Sequence, residues 1–353
     1  MSNQESMFAE QEPRGPMNTD PRERSSEQAA QEGYRGPYDG PSQWDGGKIH
    51  PQQRPRRRGG LLAIIIVIIV LVVGAIFGYS TYTYSMAPTT VTPHTFNVVG
   101  AQPTLVVNVG SGDVHMHTGS GNTVIVKETR RSAGFMPSND KIDYSQSGST
   151  VTVQEEGGFF GFNSLSLDVT LPVKADLQVQ SGSGSVDVAG VNGQVNVQTG
   201  SGSLTADNIS GQQATLKTGS GDVTLDNVIS QQEVLGTGSG SIDVHGLSGQ
   251  VTLETGSGST TIEQGALKGD SVLKAGSGDI TYNGSLDPNG SYRFETGSGD
   301  VDLTLPSSSA FSLDAHTGSG SVKNDFGSDQ VGSNPRAPVS ITTGSGSIDI
   351  HKG

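Results

Sequence analysis

The chain has 353 residues, of which 51 are glycine, with a charged fraction of 16% and no cysteine. The missing cysteines exclude disulfides and thiolate-held metals, so any folded part relies on packing and backbone hydrogen bonds. Residues 1–60 balance nine basic against nine acidic side chains, 61–79 carry none, and the remainder holds 12 basic against 26 acidic, which accounts for the net charge of −14. That distal acidity argues against nucleic acid or anionic lipid as a charge-driven partner.

Residues 1–60 are rich in Gln, Pro, Gly, Arg and Glu and show no apolar periodicity. They are expected to form a disordered cytoplasmic tail, because such a segment buries too little apolar surface to offset its chain entropy. Residues 61–79 follow, apolar or glycine throughout until Tyr79. About 19 helical residues rise roughly 30 Å, the thickness of a bilayer's hydrocarbon core. Arg54, Arg56, Arg57 and Arg58 precede this run, and Tyr79, Tyr82 and Tyr84 follow it. Arginines stay on the cytoplasmic side and tyrosines settle at the interface, so the expectation is one transmembrane helix with the N-terminus inside. The implied location is the plasma membrane, single-pass, with an extracellular C-terminal domain. A cleaved leader would require residues 1–60 as its n-region, far longer than such regions run.

Residues 80–95 read as a stalk, and residues 96–353 as an extracellular β domain. Within it, Gly-Ser-Gly begins at Gly182, Gly200, Gly219, Gly238, Gly256, Gly276, Gly297, Gly318 and Gly344, in steps of 18 to 26 residues, with further copies at Gly110 and Gly119. A short fixed period marks a stacked architecture in which each unit buries its apolar face against the next. Residues 183–202, SGSVDVAGVNGQVNVQTGSG, show the unit: two alternating runs, VDV and VNV, separated by Gly-Ser-Gly and Asn-Gly turns. Alternation buries one face of each strand and wets the other.

Aligned on Gly-Ser-Gly, one inward column reads Val186, Leu204, Val223, Ile242, Thr260, Ile280, Val301, Val322 and Ile348. A column on the return strand reads Val197, Leu216, Leu235, Leu253, Leu273, Phe294, Ala315 and Ile341, whereas the positions between inward residues are Asp, Thr or Lys. The fold class expected is all-β, a parallel β-solenoid (β-helix or roll) of about nine coils. Residues 167–353 would form the regular coils and 96–166 an irregular N-terminal β cap that protects the open edge. The residues before each Gly-Ser-Gly, Thr199, Thr218 and Thr237 among them, point inward by parity, where their hydroxyls would satisfy turn backbone groups. Glu233 aligns with inward Ala214 and Val251; the reading adopted is a bulge that swings Val234 inward instead, the alternative being a buried acid. The FFGF of residues 159–162 reads as a hydrophobic plug over the end of the core, with a membrane-touching loop as its alternative.

Site chemistry is sparse. Asp113, Asp222, Asp279 and Asp300 each follow a Gly-Ser-Gly, and turns of this kind in short two-sided coils are similar to calcium-binding nonapeptide rolls. Those rolls need G-G-x-G-x-D in consecutive nonapeptides, whereas most equivalent positions here are serine, such as Ser185 and Ser203. His115 and His117 lie two apart on one strand and share a face, with no third metal ligand evident. No catalytic residue, nucleophile–base pair, phosphate loop or cofactor is expected, and the chain reads as no enzyme.

The pattern t-G-S-G-[DS]-[VI]-x-[VIL] over residues 182–353, and the segments LDVTLPVKADLQVQSGSGSV at 167–186 and VDLTLPSSSAFSLDAHTGSGSV at 301–322, resemble the putative adhesin domain family of bacterial envelope proteins. The resemblance covers roughly residues 95–353. It implies a surface β-solenoid often tethered by one membrane helix, with no established reaction and no catalytic residues to carry over. The function expected is a membrane-anchored surface solenoid for adhesion or envelope organisation, presenting Thr, Ser and Asp faces to a cell-wall glycan or a surface protein. An envelope sensor signalling through the tail and a calcium-binding roll are the alternatives.

Overall fold

The computed structural model describes residues 66–76, 78, 89–98, 100, 102–132, 141–156 and 163–353. The expected tail (1–60) and FFGF plug (159–162) lie outside the described residues. Residues 66–76 and 78 are helical, with apolar, exposed side chains from Ile66 to Ile76. Among the described residues no helix is long and apolar enough to cross a membrane. The span expected over 61–79 is therefore not found as such, its flanking residues falling outside the described set.

From Thr89 onward the described residues form β-strands and their connections. The first strand, Thr89–Asn97, occupies ground expected as stalk and pairs antiparallel with Thr123–Ser132. Pro93 is tolerated there because the strand is an edge, where a missing N–H leaves no ladder bond unmade.

The repeats stack as parallel coils. Leu204–Ser220, Val223–Ser239 and Ile242–Ser257 each run through a whole coil and pair in parallel with their neighbours, the last two with a one-residue register shift between Ile229 and Gln232. Their burial alternates strictly near each end, as in Val223 buried, Thr224 exposed, Leu225 buried. The inward column predicted from sequence is a physical column, pairing Val186 with Leu204, Leu204 with Val223, and Val223 with Ile242.

The Gly-Ser-Gly corner has a steric cause. A Cβ on Gly219 would lie 2.5 Å from the carbonyl oxygen of Gly200 in the coil before, and one on Gly221 would lie 2.2 Å from that of Gly202. Gly221 also holds φ +154, where L side chains are rarely found. Both glycines are thus required by the close approach of stacked backbones. The interlock is completed by hydrogen bonds: Gly202 N donates to Ser220 O at 3.0 Å, and Thr218 Oγ1 donates back to Gly202 O at 2.9 Å. Thr237, Thr296 and Thr343 make the same bond to Gly221, Gly278 and Gly299. The inward threonines do satisfy turn carbonyls.

Coil order departs from chain order at both ends. The segment Thr104–Ser111 and Asp113–Gly119 forms a regular coil, stacked directly against Asp176–Ser183 and Val186–Ala189. On its other side lie Thr150–Glu156 and Asn163–Pro172. Regular stacking thus begins within the part expected to be irregular. Antiparallel pairs lie beyond it, joining Lys141–Ser147 to Thr150–Glu156 and Thr123–Ser132 to Asn163–Pro172. At the opposite end, Ala337–Ser345 and Ile348–Lys352, the last strands of the chain, insert between Ser291–Ser298/Val301–Leu305 on one side and Phe311–Thr317/Val322–Asn324 on the other. The Gly318 corner accordingly stacks on Gly344, and Gly344 on Gly297. Val322, expected in the buried column, is the terminal rung and is 45% exposed.

Candidate functional site

The outward residues form two long polar faces. On the face carrying the first strand of each coil, successive rungs present Asp187, Thr205, Thr224, Asp243, Thr261, Thr281, Asp302 and Asp349. The Asp302 carboxyl is raised from its ordinary value, through burial first and then through the charges of Asp349, Asp300 and Asp279, with His351 opposing.

The aspartates of the corners are engaged in stacking. Asp222 Oδ1 accepts from Ser241 N at 2.9 Å, Asp279 Oδ1 from Asp300 N at 2.8 Å, and Asp300 Oδ1 from Ser347 N at 2.7 Å. Asp113 does the same for Ser185 N. Each carboxylate thus satisfies a corner amide one coil away, and the target of Asp300 follows the spatial order rather than the chain. His115 and His117 share the outer face as expected. Nδ1 of His115 lies 2.7 Å from Asp187 Oδ2, and His117 Nε2 lies 2.9 Å from Thr170 Oγ1. Among the described residues no cluster of three His, Cys, Asp or Glu side chains could hold a metal ion.

Glu233 corrects the sequence reading. It stays in register between Ala214 and Val251 and is buried at 1% exposure, while Val234 faces outward. The register with the next coil does shift by one residue between Ile229 and Gln232, just ahead of Glu233, but this irregularity leaves Glu233 inward and does not turn Val234 into the core. Oε1 accepts from Ser230 N at 3.2 Å, whereas Oε2 is buried without a partner. Burial pushes the carboxyl up from its ordinary 4.5 to about 8, against the lowering effect of the Ser230 contacts. A second buried acid escaped the sequence reading altogether. Glu128 accepts from Arg130 and from the Tyr144 hydroxyl at 2.6 Å, and Tyr144 stacks on His94 with ring centroids 3.9 Å apart. No repeat reports it, because these residues lie outside the coils.

The return-strand face carries a shallow cavity of about 610 Å³ over Gly236. Gly236 sits between Lys217 and Glu254 in a column that presents long side chains on the neighbouring rungs, from Gln198 on one side to Lys274 and Glu295 on the other. The gap was present in the aligned sequence; only its depth and its neighbours needed the structure.

Comparison with known proteins now adds a family. Residues 102–351 match the profile described as Toastrack DUF4097. The chain belongs to the Toastrack DUF4097 family. No curated protein matches it. Among solved structures, the Toastrack domain is similar to a putative adhesin from Bacteroides fragilis, at 12% identity and TM-score 0.36 over 74% of this chain and 97% of that one. It is also similar to a putative lipid binding protein from Parabacteroides distasonis, at 14% identity and TM-score 0.38 over 74% and 97%. A putative cell adhesion protein from Clostridium sporogenes matches at 15% identity and TM-score 0.24 over 75% and 100%. The Toastrack assignment over residues 102–351 agrees with the expected resemblance in its extent and in being to a domain family of unknown function.

Proposed function

We propose that this Toastrack protein is a non-enzymatic surface β-solenoid that mediates adhesion or envelope organisation. It would be held in the plasma membrane by residues 61–79, with the tail inside and the β domain outside. The observation that carries this reading is the outer surface: rows of Thr, Ser and Asp repeat at the ladder spacing of ~4.8 Å over many coils, with the corner carboxylates spent on stacking rather than on a reaction centre. Such a surface suits many weak contacts along an extended polymer better than one deep pocket. The partner proposed is a cell-wall glycan or a surface protein. The apolar run of 61–77 and the arginines at 54 and 56–58 support the anchor. The antiparallel pairs beyond the Thr104–Ser111 coil support a capping role for the N-terminal β region.

Two measurements test the reading. Full-length protein in mild detergent should be retained by purified cell-wall sacculi; failure to bind any wall, glycan or cell fraction removes the adhesion role. A C-terminal epitope on intact cells should be cleaved by added protease, and its complete protection would reverse or abolish the proposed topology.

A further inference from the structure

Most of the glycines stacked at the corners have a backbone reason to be glycine; Gly236 does not. It lies inside Val223–Ser239, and a Cβ placed there would meet Glu254 O at 3.5 Å and Lys217 Cγ at 3.6 Å, which is ordinary contact. Its φ is not in the positive region. A strand-interior glycine with neither constraint weakens the strand without a folding return, and such positions often mark the close approach of a ligand. Removing one side chain from a column of long ones opens a slot between Lys217 and Glu254, whose stems stand two rungs, roughly 10 Å, apart.

The walls define the chemistry. Neither Lys217 nor Glu254 has an ion-pair partner among the described residues, while the next lysine, Lys274, is held by Glu295 at 3.0 Å. Lys217 offers only donors and Glu254 only acceptors, with the Thr252 hydroxyl and the partly exposed Val234 completing the slot. An anionic ligand would meet the Glu254 charge and the acidic domain, and a cationic one would meet two lysines. A neutral polyhydroxylated ring, each of whose hydroxyls both donates and accepts, satisfies both walls and lays its C–H surface on Val234. We infer that the slot over Gly236 is a saccharide subsite, holding one ring of a neutral glycan edge-on between Lys217 and Glu254. This rests on the adhesion reading and deepens it by naming the subsite and the ligand class.

The test uses full-length protein in mild detergent, an array of neutral and acidic oligosaccharides, and whole sacculi. Gly236→Gln restores the residue type that Gln198 carries in the same column, so it closes the slot without disturbing the ladder; Lys217→Met removes the ammonium and keeps the stem. Expected are binding of neutral oligosaccharides by the parent, about tenfold weaker binding by each variant, the size associated with a lost charged hydrogen bond, and unchanged melting. Equal binding by parent and variants overturns the subsite and leaves the adhesion reading standing. Binding of acidic oligosaccharides alone overturns the ligand class, as does retention on sacculi with no array binding. Retention on neither overturns the subsite and the adhesion reading together. Should Gly236→Gln melt early, Lys217→Met decides.

Discussion

Three residues show how single positions report on the stack. Gly221 combines φ +154 with a 2.2 Å approach to the Gly202 carbonyl, so Gly221→Ala must push two coils apart. About 2–4 kcal/mol of destabilisation is expected from a forced left-handed conformation plus overpacking, measurable by urea melts. Thr260 fills the aliphatic column between Ile242 and Ile280 with its hydroxyl buried and unpartnered. Thr260→Val should therefore raise stability by about 1 kcal/mol, because an unsatisfied polar atom is replaced by a methyl of equal size. Glu233 supplies a pH dependence. Its folded carboxyl sits at about 8, above the ordinary 4.5, so the folded protein holds a proton that the unfolded chain releases. Stability is then highest below the unfolded value, falls as pH rises between roughly 4.5 and 8, and levels off above that. Glu233→Gln should abolish this slope, melting hotter than the parent at pH 8 and nearly level with it at pH 4. A parent midpoint flat over that range would mean the carboxyl is ionised inside.

At the scale of the element, the unit of stability is the coil and its two neighbours. Ala337–Ser345 and Ile348–Lys352 are bracketed on both sides, so the end of the chain bridges its neighbours rather than capping the stack. Among the described residues, Phe311–Thr317 has parallel pairing only through Ala337–Ser345, plus a two-residue antiparallel contact with Gln330–Val331. A chain ending at Gly332 should therefore lose order back to about Leu305, and limited proteolysis should trim it there. A chain ending at Pro306 keeps every rung before it and should resist the same protease. Equal resistance of the two truncations would contradict the inserted order.

At the scale of the whole molecule, the corner aspartates decide between a metal-stapled roll and a self-sufficient ladder. Asp113, Asp222, Asp279 and Asp300 already spend a carboxylate oxygen on an amide one coil away. Thermal melting in calcium and in chelator is expected to give the same midpoint, since ligands that bind only the folded state would shift it. A saturable rise with calcium would make those aspartates ligands. The same ladder logic explains why the repeat is legible in the sequence. Alternation from Val223 to Leu225 and the obligatory glycines of each corner are local requirements of stacking, and every coil restates them. What does not repeat could not be read in this way. Glu128 and Tyr144 meet through strands with no counterpart elsewhere. The slot at Gly236 appears in the alignment only as a missing side chain.

The sequence alone determined that parallel coils with valine, leucine and isoleucine columns would form, because period, parity and steric need for glycine are properties of short segments. Only the tertiary structure decided which coil lies against which: the corners at Gly318 and Gly344 both read Thr-Gly-Ser-Gly-Ser, so local chemistry cannot distinguish one from the other as the neighbour of Gly297. It also decided that Glu233 stays inward, since the one-residue register shift against the next coil is complete before Gln232 and Glu233 pairs in step with Ala214 and Val251 on either side.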